Sequence, residues 1–152
     1  MNADARVALH EALVVPDHPL PIVHFARTDP PKAHVSWQNG AHMTMRWGPS
    51  SVHFEELSSA VGKAHPTGLY SAVVSRLWAL FTCHPWFSWV QAVTCEPATA
   101  WATAILARRG DWAPLFGTAG TVWVWWMRPA TADAGREALE LVRAVQAERV
   151  DE

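Results

Sequence analysis

AHVSWQNGAHMTMRW, Ala33 to Trp47, is the stretch that decides the fold. Asn39-Gly40 stands between two runs of alternating residues, which marks a β-hairpin. Burial selects its register. A two-residue turn at Asn39-Gly40 puts Trp37 opposite His42 and mixes Ala33, Val35 and Trp37 with His42, Thr44 and Arg46 on one face. A three-residue loop, Gln38-Asn39-Gly40, instead pairs Trp37 with Ala41, Val35 with Met43 and Ala33 with Met45. One face is then wholly apolar, and the other carries His34, Ser36, His42, Thr44 and Arg46. A one-residue slip turns every side chain over, so the second register is expected. It also sets Gly40 at the left-handed bulge position, where glycine is least strained. The expectation is a type I turn with a glycine bulge in a hairpin over residues 33–47.

Outward from the hairpin, punctuation comes from proline and glycine. Asp4 to Leu13 reads as a first helix, with Asp4 favouring its positive end. Pro16, Pro19, Pro21, Pro30 and Pro31 make residues 14–32 a proline-rich extended connection, with Val14-Val15 and Ile22 to Phe25 as short edge strands. After Gly48-Pro49, a serine cap at 50 or 51 and the spacing of Phe54, Leu57 and Val61 suggest a helix, with Val52-His53-Phe54 as an alternative third strand. Thr67 is expected to cap a stronger helix through His84, with Leu69, Val73, Leu77 and Leu80 or Phe81 inward and Pro85 as its stop. Trp86 to Thr94 reads as a strand and Pro97 to Gly110 as a helix. TVWVWWMRP, Thr121 to Pro129, reads as an interior strand with Trp123, Trp125 and Met127 on one face and Val122, Val124 and Trp126 on the other, both covered. Thr131 or Asp133 caps a long C-terminal helix with Ala134, Ala138, Leu141, Val142 and Val145 inward. Mixed order of this kind implies a single compact α+β domain over 1–152, with about four strands and helices packed on the sheet.

Composition narrows the function. The chain has 152 residues, half of them hydrophobic and 17% charged, with a net charge of −2. That is globular, and without a basic stripe it argues against nucleic acid. The longest uncharged, largely apolar helical stretch, Pro97 to Ala107, is well short of the ~20 residues a membrane span needs. The first residues lack the basic and apolar parts of a signal peptide. Two cysteines make no disulfide scaffold. A cytoplasmic location is expected, and the richness in Ala, Arg, Val and Trp suggests a high-GC bacterial gene.

No catalytic or cofactor motif is present. LSSAVGKA lacks the first glycine and the Ser/Thr of a phosphate loop, and Gly117 to Gly120 precedes a strand rather than following one. Cys83-His84 sits at a helix C-terminus, where a thiolate is disfavoured and a histidine cap is ordinary. His53 and Glu56 would share a helix face as an acid/base pair, but first-turn glutamates are also common macrodipole chemistry. His34 and His42 are diagonal neighbours on the hairpin. With His53 or His24 they would be a weak metal set, and otherwise one solvated face. Two function classes remain. The first is a non-enzymatic binding or assembly module engaging another protein chain, itself included, through a Trp-rich apolar surface: Trp123, Trp125 and Trp126. The second is a small-molecule-binding protein or small enzyme with an aromatic pocket and polar groups from His34, His42 and Arg46.

Overall fold

A computed structural model describes residues 1–38, 40–59, 68–96, 113–115 and 122–150. Helix α1, Ala3–Leu13, is capped by Asn2, whose side chain accepts from the Ala5 N–H at 2.8 Å. Four strands follow: β1 Pro21–Ala26, β2 Lys32–Trp37, β3 Ala41–Trp47 and β4 Ser51–Ser59. Helix α2, Leu69–Cys83, leads through a 3-10 turn, Pro85–Phe87, to β5, Ala92–Cys95. The chain closes with β6 Ala113–Leu115, β7 Val122–Trp126 and helix α3, Ala132–Val150. All seven strands form one sheet in the order β1-β2-β3-β4-β5-β7-β6. The expected strand count of about four is therefore too low. Strands β6 and β4 account for part of the difference, and β1 is a full six-residue edge strand.

The β2–β3 hairpin has the register that burial selected. Val35 pairs with Met43 and Ala33 with Met45, and Gly40 takes a left-handed φ of 88° while donating its N–H to the Trp37 carbonyl at 3.0 Å. Asn39 lies outside the described residues. Ala33, Val35, Trp37, Ala41, Met43 and Met45 are all buried, beneath α1 and α2. The helix expected after Gly48-Pro49 is overturned, and the strand alternative holds. Residues 51–59 form a strand that pairs with β3 from Val52 to Ser59, with one register shift. The Pro97–Gly110 helix and the Thr67 cap lie outside the described residues. Thr131 caps α3, accepting from the Ala134 N–H at 3.1 Å, and the five residues expected inward are all buried.

β7 is an interior strand covered on both sides. Trp125 is 6% exposed and stacks on Trp78 of α2 with ring centroids 3.4 Å apart. Val124 packs on the other face with Ala92 of β5 and Ala138 of α3. Each of these faces would otherwise leave a large apolar area in water. Trp125→Ala is therefore expected to destabilise the fold by ~3–5 kcal/mol, and Ile22→Ser, on an exposed edge position, by less than ~0.5 kcal/mol. Urea unfolding of the two variants measures both.

Candidate functional site

Five of the six strand pairings in the sheet are antiparallel, but β4 and β5 run parallel, with Ser51 to Phe54 paired to Ala92 to Cys95. The parallel pair is joined by α2, a crossover that returns the chain to the start of β5. Its ladder stops at Phe54 and Cys95, while β4 continues to Ser59 against β3. The stop coincides with a β-bulge. Thr44 pairs with Glu56 and Met45 with Phe54, so Glu55 is the extra residue on β4. A bulge bends its strand and increases the local twist. Among the described residues no strand pairs with the β5-facing edge of β4 beyond Phe54, and the region beyond that last pair, toward the carboxyl ends of the two strands, is termed the fork.

Arg46 holds the bulge. Its side chain is 2% exposed and lies between β3 and α3. Nε donates to Glu55 Oε2 at 3.1 Å, Nη2 to Glu148 Oε1 at 2.5 Å and Nη1 to the Pro30 carbonyl at 3.2 Å. A planar guanidinium can serve three acceptors on three separate segments in this way. Burial opposes its charge, but the hydrogen bonds to Glu148 and Glu55 outweigh that and hold the Arg46 pKa above its ordinary value. The hydrogen bond to Arg46 likewise holds the Glu148 carboxyl below its ordinary range, against a smaller effect of burial, with Coulomb help from Arg46 and Lys32.

The base of the fork is polar on the α3 side. His53 is fully buried, and its Nδ1 lies 2.8 Å from the Thr94 hydroxyl, across the β4–β5 pair. On the α2 side the base is apolar, with Phe54, Val93 and Cys95. Burial, reinforced by Glu96, pushes the Cys95 thiol up to about 12, so it stands as a protonated wall of the fork. Toward the open end comes the start of α2. Gly68 precedes it in a left-handed conformation, no side chain caps it, and its first turn holds no acidic residue. Among the described residues no side chain meets its first N–H groups, which carry the positive end of the helix dipole.

The other candidates lie elsewhere. His34 and His42 have ring centroids 6.1 Å apart, as the diagonal pairing required, and His24 pairs with His34 across β1 and β2. His34 Nδ1 lies 2.8 Å from the Thr44 hydroxyl, and His42 Nδ1 is 3.4 Å from the Gly40 carbonyl. His53 is not with them. Among the described residues no three His, Cys, Asp or Glu side chains gather as a metal site needs. Arg46 shares the expected face but is covered by α3. The strand at β4 removes the helical His53–Glu56 pairing. Cys83 is exposed at the end of α2, where the His84 backbone N–H donates to the Leu80 carbonyl at 2.9 Å, while His84 Nδ1 accepts from the Trp86 N–H at 3.1 Å at the start of the 3-10 turn. Trp123 and Trp126 are half-buried beside the buried Trp125. Glu55, Thr94 and the role of His53 were missed from sequence. One signal was available for the bulge: Val52, Phe54 and Leu57 alternate with one extra residue inserted.

No family model and no curated protein matches the chain. Among solved structures, the chain is similar to one described as a "putative acetyltransferase from Sphaerobacter thermophilus DSM 20745", at 12% identity, a TM-score of 0.42 and coverage of 83% of this chain and 90% of that one. A likeness at that level sets no activity for this protein. No helix among the described residues is long and apolar enough to cross a membrane.

Removing Arg46 leaves two carboxylates facing a buried gap. Arg46→Ala is expected to cost ~3–5 kcal/mol, with Arg46→Lys recovering only part, since an ammonium lacks the planar fork. The pH dependence follows from Glu148. Its folded pKa is depressed, so its contribution is complete above the ordinary carboxylate value and is lost as pH falls through the folded value. Between about pH 6 and about pH 3, Glu148→Gln is expected to lose less stability than the parent chain, measured by urea unfolding at each pH.

Proposed function

We propose that the protein binds an elongated small molecule with an anionic end in the fork between β4 and β5. The observation that carries this reading is the coincidence of the Glu55 bulge with the last β4–β5 pair, Phe54 and Cys95. Backbone groups within a sheet require partners. Among the described residues no strand lies on the β5-facing side of residues 56–59, where the amides of a ligand would act in the manner of an added strand. Parallel strands also gather ligands at their carboxyl ends, where the first turn of the crossover helix faces the same opening. α2 is placed for this. Phe81, near its end, lies with Val52, and Val74, two turns earlier, lies with Phe54 and Val93, so its start extends toward the open end of β4. An anion there would meet the first N–H groups of α2 and the positive end of its dipole.

This is the small-molecule expectation, with its polar groups moved from the hairpin to the fork. The interaction-module expectation drew on a tryptophan-rich surface. None of the eight described tryptophans is exposed, and Trp125 is committed to Trp78, so that reading has less to support it. Cys95, protonated and walled in, is offered no role as a nucleophile.

Coenzyme A joins a diphosphate to an extended arm with two amides, so it carries both features in one molecule. Calorimetric titration with coenzyme A, acetyl-coenzyme A, ADP and pantetheine is the test. The full molecules are expected to bind at least about tenfold more tightly than either half alone. Ser71→Glu, adding a negative charge to the first turn of α2, is expected to weaken them about tenfold, and Ser71→Ala to leave them unchanged. Binding that is indifferent to Ser71→Glu, or the absence of binding at millimolar concentration, defeats the reading.

A further inference from the structure

We propose a second binding site, for a small anion carrying a flat ring, in the cavity between α1, the end of β1 and Trp47. The cavity holds about 410 Å³, and its walls include Arg6, Phe25, Arg27, Thr28 and Trp47. That volume is in the range of small-molecule pockets, ~300–1,000 Å³. It lies where β1 and β3 end and β2 begins, and β4 runs away from that end of the sheet. The fork is at the opposite end, so the two sites are separate and this inference does not rest on the other.

Charge sets the class of ligand. Arg6 and Arg27 both line the cavity and no acidic residue does. Among the described residues neither arginine is paired with a carboxylate. Across Trp47 a neighbouring cavity of about 420 Å³ shows the reverse, with Asp29, Glu137 and Glu140 and no basic residue. The two signs are thus segregated on either side of one indole, in a chain whose net charge is only −2. An anion is attracted into the first cavity and repelled from the second.

Geometry adds orientation. The Arg6 guanidinium stacks over Phe25, with Cζ 4.7 Å from the ring centroid, and Trp47 meets the same ring edge-on with centroids 6.5 Å apart. Stacking holds a guanidinium by its face and leaves the N–H groups on its edge for a planar acceptor. Carboxylates and phosphates both accept from such an edge in two places. Trp47 and Phe25 are half-buried and supply the apolar wall against which a flat ring packs. The anion therefore sits at Arg6 and Arg27 with its ring toward Trp47.

Calorimetric titration with phenyl phosphate and benzoate tests the site and separates a phosphate from a carboxylate source. Benzamidine serves as the cationic isostere and inorganic phosphate as the ringless anion. At least one of the two ring-bearing anions is expected to bind, more tightly than inorganic phosphate, with benzamidine excluded and affinity falling as salt is added. The double variant Arg6→Gln/Arg27→Gln, both positions exposed and its folding verified by melting, is expected to bind about tenfold or more weakly. Ser71→Glu at the other end of the sheet is expected to leave this binding unchanged. Equal binding by the double variant and the parent, binding of benzamidine as tight as benzoate, or no binding of either anion at millimolar concentration overturns the proposal.

Discussion

The guanidinium of Arg46 is the point at which the sheet, helix α3 and the β1–β2 connection are fixed to one another. It reaches Glu55 on the bulge of β4, Glu148 on α3 and the carbonyl of Pro30 in the β1–β2 connection. A charge at 2% exposure is costly unless its donors are used, and here three different segments use them. The consequence is directional. Glu55 is drawn toward α3, and the strand that carries it bends where β5 stops. The bulge at which the β4–β5 ladder ends is in this sense held by one buried ion pair.

Around that point the molecule has two unequal cores. The larger one, under α1 and α2, takes the apolar hairpin face, Phe54, Val93 and Trp125. The smaller one, under α3, holds Ala92, Val124 and Ala138, with Trp126 and Leu115 at its margin. The polar residues of the α3 side then divide by cover. Under α3, Arg46, Ser51, His53 and Thr94 are buried. Beyond it, toward β1, His24 and His34 are exposed and Ile22 is 72% exposed. The same sheet face is thus structural in its middle and open at its edge.

Much of this was legible in the sequence, for reasons that can be named. The hairpin register followed because only one pairing separates Ala33, Val35, Trp37, Ala41, Met43 and Met45 from the histidines. The two-sided cover of Trp123 to Trp126 followed because both faces of that strand are apolar. β4 was misread because a bulge imitates a helix. Inserting Glu55 turns an alternating Val52, Phe54 into a three-residue step to Leu57, and that step continues at helical spacing to Val61. The ladder partner of Phe54 is 41 positions away in Cys95, by the register of β5, and no local pattern announces so distant a pairing. Arg46 looked like a residue of a wet face because the helix that covers it arrives a hundred residues later. The fork was invisible for the same reason, being made by the ends of strands whose neighbours are set by tertiary packing.

The central claim is that the Glu55 bulge, held by Arg46, ends the β4–β5 ladder, so that among the described residues no strand lies on the β5-facing edge of β4 beyond Phe54. Residue-resolved amide hydrogen exchange measures this directly. The account predicts slow exchange at every amide of residues 51–54, and an alternation of slow and fast amides over residues 56–59, where among the described residues the pairing is with β3 alone. Uniform protection from 51 to 59 in the free protein would contradict it.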